Sequence, residues 1–323
     1  MPLLIFFKNL MKWMIMISII ISISSNNWFI FWIMMEMNMM VFIPIMKNNK
    51  MENCNSMITY FIIQSFSSIM FFMASSIMIF NYSLMNDIFI NISLLIKLSM
   101  IPFHFWLISI SEILDLNSFL VIITMQKIIP LFILYKMKTT ITFYISILSL
   151  ICSSIMIFNL KTFKKILIFS SISHLSWMII IMFSCSNFWI FYMMIYFIMI
   201  MAIVKMIQKN NINSIFDLMK SKISNLNKIN MIISLMSLGG MPPFMGFMIK
   251  FMAISIIIKY SMVSMTILIM SSLINIFIYI RMITPILISF KKIHLNLNIT
   301  KLIKNLIMNL MIIISFFLMN LIF

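Results

Sequence analysis

Long apolar runs separated by short polar segments fill the chain, and they predict about eleven membrane-spanning helices. The runs cover residues 3–25, 28–46, 57–82, 92–110, 118–135, 142–158, 166–183, 188–207, 231–258, 262–288 and 302–322. Most are close to the roughly 20 residues that carry a helix across a hydrocarbon core about 30 Å thick. The strict in-out alternation of a barrel strand is missing, so each crossing satisfies its own backbone groups as a helix. The expected fold is all-α, one polytopic bundle over residues 1–323. The first run has no small-residue cleavage site and leads directly into the second, so it reads as a retained helix and not a signal peptide. The polar segment 208–230, with Asp217 and several lysines, reads as a plain solvated connection in preference to a short surface helix.

Composition strengthens the membrane reading and adds a compartment. Of 323 residues 63% are hydrophobic and 9% charged, whereas soluble domains carry about 25% charged residues. Ile, Met, Phe, Lys and Asn dominate while glycine falls to 3 and proline to 7. These favoured residues have codons rich in A and T, and 41 methionines fit that bias only where AUA is read as Met. A mitochondrial gene product is expected. The same bias inflates lysine, so the net charge of +17 does not argue for nucleic acid as a partner. It does not explain how lysine is sorted. Alternating the loops places Lys47, Lys50, Lys161, Lys164, Lys165, Lys209, Lys220, Lys222, Lys228, Lys291 and Lys292 on one face, against Lys136, Lys138 and Lys259 on the other. The positive-inside rule assigns the richer face to the matrix. The N-terminus is then expected in the matrix and the C-terminus in the intermembrane space.

Several chemistries find no footing. Cys54, Cys152 and Cys185 form no CxxC pair and are too few for a four-thiolate cluster, so they read as packing residues. His104, His174 and His294 are scattered one to a segment, which disfavours a bis-His haem. Dinucleotide and phosphate-binding glycine patterns are absent, and no cofactor or metal is expected on this chain.

Most charges fall in loops or toward span ends, where snorkelling makes them cheap, and among those inside apolar runs Glu36, Lys97, Lys127 and Lys250 are singled out. A charge at mid-bilayer costs about 2.5–3.5 kcal/mol even on the lenient insertion scale, so each needs a compensating environment. Each also lies near a proline, which removes the hydrogen bond to the carbonyl four residues earlier. Pro44 is expected to free the carbonyl of Met40, Pro102 that of Leu98 beside Lys97, and Pro130 that of Gln126 beside Lys127. The run Gly239-Gly240-Met241-Pro242-Pro243 is expected to break the ninth span two turns before Lys250. Freed carbonyls at membrane depth are tolerated where protein or water meets them, so charges and breaks together predict a hydrated polar line. His174 reads equally as a relay group on that line or as a hydrogen-bonded core imidazole. His104, between two phenylalanines, reads as structural, and His294 as a loop residue without a role.

These residues carry a resemblance. Trp32-Ile33-Met34-Met35-Glu36-Met37-Asn38-Met39 with Phe42-Ile43-Pro44, then Lys97 to Trp106, Gln126-Lys127-Ile128-Ile129-Pro130, Ser170 to Trp177, and Leu235 to Lys250 resemble, in order and spacing, the signatures of the NADH dehydrogenase subunit 2 family. Where that family usually has glycine, this chain has Ile113 and Ser176. The resemblance implies an antiporter-like fold with discontinuous helices and a central axis formed by Glu36, Lys97, Lys127 and Lys250. It also implies a place in the membrane arm of respiratory complex I in the mitochondrial inner membrane, beside other antiporter-like subunits, with protons and internal water as the transported species. NADH, FMN, iron–sulfur clusters and ubiquinone would then be bound by partner subunits. The rival readings are a free-standing cation/proton antiporter and a passive membrane-arm scaffold.

Overall fold

The computed structural model describes residues 2–47, 52–80, 84–184, 187–220 and 224–288, and helices make up nearly all of them. Helices α1 (Pro2–Ser24), α2 (Trp28–Met46) and α3 (Glu52–Phe80) follow the first three apolar runs. The fourth run is split into α4 (Leu84–Leu98) and α5 (Phe105–Ile113). The fifth comprises α6 (Leu116–Ile123), a 3-10 turn at Met125–Lys127 and α7 (Ile128–Met137). Helices α8 (Thr140–Met156), α9 (Phe163–Phe183) and α10 (Phe188–Asn210) come next, then the short α11 (Asp217–Lys220). The ninth run is split into α12 (Asn225–Gly239) and α13 (Met245–Ile257), and α14 (Met262–Ile288) completes the described part. Among the described residues, eight helical segments are long and apolar enough to cross a bilayer. The broken pairs α4/α5 and α12/α13 supply the two remaining expected crossings up to residue 288, and the run 302–322 lies outside the described residues.

The chain divides into two compact units, Met1–Ser153 with Ser171–Ile179, and Ser154–Ser170 with Ile180–Phe323. In the first, α1 packs on α2, α2 on α3, and the unbroken α3 lies along both halves of the α4/α5 pair. In the second, α10 and α14 each contact both α12 and α13 in the same way. A continuous helix beside a broken one keeps the two halves in register. Helix α4 begins earlier than its apolar pattern suggests, because Asn86, Asp87 and Asn91 in its first turns are buried. Asn91 Nδ2 donates to Thr139 Oγ1 at 2.7 Å.

Serine is frequent inside the spans, yet it costs little there. Ser18, Ser22, Ser56, Ser67, Ser93 and Ser170 each donate to the carbonyl three residues earlier, at 2.6–3.0 Å. A hydroxyl that bonds its own helix is satisfied without a partner, and its small size allows close helix packing. Ser176, at a position where glycine was expected, is fully buried, bonds Ile172 O at 2.9 Å and meets Ser149 Oγ of α8 at 2.7 Å.

Loop contacts within each unit match the expected parity. In the first, Lys136 Nζ at the end of α7 donates to Ser25 O at 2.9 Å and Asn26 Oδ1 at 2.8 Å, in the α1–α2 turn. In the second, Thr162 and Ser214 form an isolated antiparallel bridge, so the α8–α9 linker lies against the segment after α10. Arg281 of α14 donates to the carbonyls of Phe158 and Leu160 in that linker, the second at 3.0 Å. The segment 208–230 is therefore not a plain solvated connection. Ile212 and Leu218 are buried, α11 forms within it, and Asp217 accepts the backbone N–H groups of Asn213 and Ser214 at 3.2 and 2.7 Å. Its polar composition hid the few apolar anchors.

Candidate functional site

The interruption between α4 and α5 covers residues 99–104, with Ser99 at φ +56° and a cis Ile101–Pro102 peptide. The break falls where Pro102 predicted it. Its loose carbonyls, however, do not go to Lys97. Ser99 Oγ donates to Leu98 O at 2.5 Å, and Trp106 Nε1 reaches back to Ile96 O at 3.1 Å. Lys97 is 8% exposed and has no hydrogen bond to any described residue. His104 bridges the same break through its ring Nδ1 and Pro102 O at 3.2 Å, with its ring 4.2 Å from that of Phe105, which fits a structural part.

Glu36, on α2, lies within electrostatic range of Lys97. The two do not form a direct ion pair among the described residues; the Glu36 carboxylate instead accepts the hydroxyl of Ser68 on α3. Ser68 also donates to Ser65 O at 2.8 Å, so its position is set by its own helix. Pro44 removes the bond to the Met40 carbonyl but makes no break. It lies within α2, which continues to Met46, because two residues from a helix end the ring removes one bond without ending the helix.

Lys127 closes the 3-10 turn between α6 and α7, is 2% exposed, and donates to Ser171 Oγ of α9 at 3.0 Å. Pro130 lies in the first turn of α7, where its missing N–H is one that no helical carbonyl would have used. One turn from Ser171 along α9 is His174, also buried, so the serine that accepts the Lys127 ammonium and the imidazole share one face of α9. A cavity of about 20 Å³, room for one or two waters, lies between Lys97 and Lys127 and is also lined by Asn38, Tyr60, Gln64 and Gln126. The two lysines thus border one void, whose lining also includes Met35, Leu107 and Ile122.

The second unit holds Lys250. Helix α12 ends at Gly239, Gly240 takes the left-handed conformation at φ +81°, and its N–H bonds Met236 O at 3.1 Å and Ser237 O at 3.2 Å. Lys250, 6% exposed on α13, donates from Nζ to Gly239 O at 3.0 Å. An ammonium at a helix C-terminus meets both an unused carbonyl and the negative end of the helix dipole. The glycines make this approach possible. A Cβ on Gly240 would stand 2.9 Å from Lys250 Nζ, one on Gly239 3.1 Å from the Tyr279 ring, and one on Gly246 1.7 Å from Ser237 O. Pro242 and Pro243 lie in the interruption, as expected.

Some site residues escaped the sequence reading. Tyr60, Gln64 and Ser68 repeat every four residues on α3 and put a polar stripe on one face, a spacing that was readable but masked by the abundance of serine. Lys228, read as a loop cation, lies near the start of α12 and is buried. Cys54, read as a packing residue, is exposed because α3 begins before its apolar run, whereas Cys152 is partly buried. Cys185, His294, Lys50, Lys222, Lys291 and Lys292 lie outside the described residues.

Comparison with known proteins draws the geometry together. The sequence profile of the NADH:quinone oxidoreductase/Mrp antiporter transmembrane family matches residues 80–278. The NADH-ubiquinone oxidoreductase chain 2 of Rhipicephalus sanguineus is 50% identical over 281 residues, covering 86% of this chain and 88% of that one. The chain belongs to the NADH-ubiquinone oxidoreductase chain 2 family. The chain 2 protein of Anopheles gambiae is 32% identical over 289 residues, covering 85% of this chain and 84% of that one. Among solved structures, a chain of respiratory complex I from Thermus thermophilus has a TM-score of 0.77 at 16% identity, covering 87% of this chain and 70% of its own. A chain of an archaeal membrane-bound sulfane sulfur reductase has a TM-score of 0.78 at 14% identity, covering 93% and 71%. These two share the antiporter-like fold. The chain 2 family assignment and the apolar helices together make this a multi-pass membrane protein.

Proposed function

We propose that this chain is a membrane-arm subunit of proton-translocating NADH:ubiquinone oxidoreductase in the mitochondrial inner membrane. Glu36, Lys97, Lys127 and Lys250 carry its proton relay, and His174 stands beside it. The observation that carries this reading is that Lys97 and Lys127 border one buried cavity with room for water, each at a helix interruption. An ammonium can pass a proton to water and accept one back, so two lysines on a shared void can exchange a proton without moving their helices. The Glu36 carboxylate acts on Lys97 through space. Its approach and withdrawal would alter how tightly Lys97 holds its proton, and the relay continues with Lys250. Work against the membrane potential is roughly 2.3 kcal/mol per 100 mV. That corresponds to a change of about 1.7 in the pKa of a relaying group, within the reach of a moving buried counter-charge.

Electrons travel elsewhere in this reading. NADH, FMN, iron–sulfur clusters and ubiquinone belong to partner subunits, and neighbouring antiporter-like subunits cover part of the exposed apolar surface, which includes Phe6, Trp13 and Ile20 of α1. The lysine-rich loops face the matrix with the N-terminus, and the C-terminus faces the intermembrane space. The matching family also includes Mrp antiporters, which keeps a free-standing cation/proton antiporter as the second reading. Reconstitution separates them. The purified chain alone in sealed vesicles is expected to move no protons under a sodium or potassium gradient, whereas the assembled oxidoreductase pumps on adding NADH. Cation-driven proton movement by the isolated chain would support the antiporter instead.

A further inference from the structure

The cavity between Lys97 and Lys127 has a side chain across it that the relay as described does not use. Gln126 donates from Nε2 to both the carbonyl and the side-chain oxygen of Asn38 on α2, at 3.4 and 3.3 Å. Its Oε1 accepts the hydroxyl of Tyr60 on α3 at 3.5 Å. The supports of this amide are firm. Asn38 is buried, and the Tyr60 ring is held between those of Phe42 and Trp106, with centroids 5.1 and 6.2 Å away. The bonds themselves are long, at the outer limit of hydrogen bonding, so little free energy is lost on breaking any one of them. Gln126 also belongs to the 3-10 turn that interrupts the helix, where the backbone is less constrained than in the α-helices beside it. Rigid supports, weak bonds and a pliant backbone describe a side chain that is parked and can be released.

We propose that Gln126 is the positioning residue of the Lys97–Lys127 passage, a gate that is latched by Asn38 and Tyr60 and that orders cavity water between the two lysines when it swings free. This inference rests on the relay reading and adds a residue to it. The step it governs is a proton transfer. The Lys97 ammonium gives a proton to the adjacent water, that water gives one to neutral Lys127, and Lys97 is left neutral with Lys127 charged. Gln126 donates and accepts hydrogen bonds throughout and neither gains nor loses a proton. The stripe Tyr60, Gln64, Ser68 gives the gate a link to the acidic end of the line. Ser68 holds Glu36, Tyr60 holds Gln126, and all three residues share one face of α3. A movement of Glu36 that pulls on Ser68 is therefore felt along the helix face that carries the latch.

The test uses the assembled enzyme in sealed inner-membrane vesicles, with Gln126→Met and Tyr60→Phe introduced separately and Lys97→Met as a reference. Gln126→Met keeps the length of the side chain and removes both hydrogen-bonding atoms. Coupled NADH:ubiquinone turnover is expected to fall about five- to tenfold, the loss of one or two organising hydrogen bonds in a rate-limiting step. The solvent deuterium isotope effect on that turnover is expected to rise, because proton passage through the cavity becomes more strongly limiting. Tyr60→Phe keeps its ring and loses only the latch, so the gate is free for more of the time, proton passage is eased and the isotope effect is expected to fall. A purely structural Gln126 would lower the amount of assembled enzyme and leave the isotope effect per enzyme unchanged. If Gln126→Met does not assemble, Tyr60→Phe decides alone, and an unchanged isotope effect there overturns the gate. If Lys97→Met abolishes pumping while both gate variants behave as wild type, the gate is wrong and the relay stands. Normal pumping by Lys97→Met would remove the relay itself, and the gate with it.

Discussion

Replacing Lys97 with Met keeps the bulk of the side chain and removes its titratable nitrogen. The structure sets the magnitude expected for assembly. If Lys97 and Glu36 were a direct buried pair, deleting one partner would leave a stranded charge and cost about 3–5 kcal/mol. They are not joined; Glu36 keeps its bond from Ser68, and Lys97 has no hydrogen bond to break among the described residues. Met also escapes the roughly 2.5–3.5 kcal/mol that a lysine carries at mid-bilayer, offset in the native chain by Glu36 at a distance and by the polar side chains at the cavity. The amount and thermal stability of assembled enzyme should therefore stay within about 1 kcal/mol of wild type. Transport should not. A relay that loses a positioned proton carrier is expected to slow at least tenfold, about 1.4 kcal/mol in the barrier and the low end for general acid–base groups. Lys97→Arg sharpens the comparison, since guanidinium restores the charge and cannot release a proton at working pH. The assay is the ratio of protons to electrons in sealed vesicles, normalised to assembled enzyme. Normal ratios in both variants would refute the relay. Rescue by Arg alone would show that the charge is structural.

Two further outcomes follow from the geometry. Gly246→Ala is expected to prevent accumulation of assembled enzyme on native gels, because its Cβ would stand 1.7 Å from Ser237 O, a clash beyond the 1–3 kcal/mol or so of ordinary overpacking; normal assembly would show that α12 and α13 separate more easily than their contacts imply. The exposed Cys54 at the start of α3 reports orientation without an added tag. A membrane-impermeant maleimide is expected to label it in vesicles with the matrix side outward and not in right-side-out mitoplasts, with Cys54→Ser as the control, and the reverse pattern would invert the assigned topology.

The buried charges were legible because the bilayer makes each one conspicuous. Lys97, Lys127 and Lys250 stood out on transfer cost alone, and Pro102 and the Pro242-Pro243 pair marked real interruptions. What each charge would touch was not legible. Proline arithmetic assigned freed carbonyls to the lysines, yet Ser99 and Trp106 take those at the first break, and of Lys97, Lys127 and Lys250 only Lys250 holds a carbonyl among the described residues, that of Gly239. Small polar side chains close by can turn into such gaps more readily than a lysine that must cross a cavity. Pro44, two residues from the end of α2, removes one bond and leaves the helix unbroken. The Tyr60, Gln64, Ser68 stripe was hidden by composition, since serines in these spans commonly bond their own helix, Ser68 included, and its further bond to Glu36 leaves no mark in the sequence.

All three glycines of the chain fall within residues 239–246. Elsewhere the residue usage has drifted toward Ile, Met, Phe, Lys and Asn, and a lipid-facing surface accepts such exchange freely because almost any apolar side chain suits it. At these three positions the space for a first carbon is already taken by an ammonium, a phenol ring and a helix end. Compositional drift therefore has a boundary here that is set by volume and not by polarity. A survey of mutational tolerance along this chain should show broad plains of indifference with one steep-walled well at the α12–α13 junction.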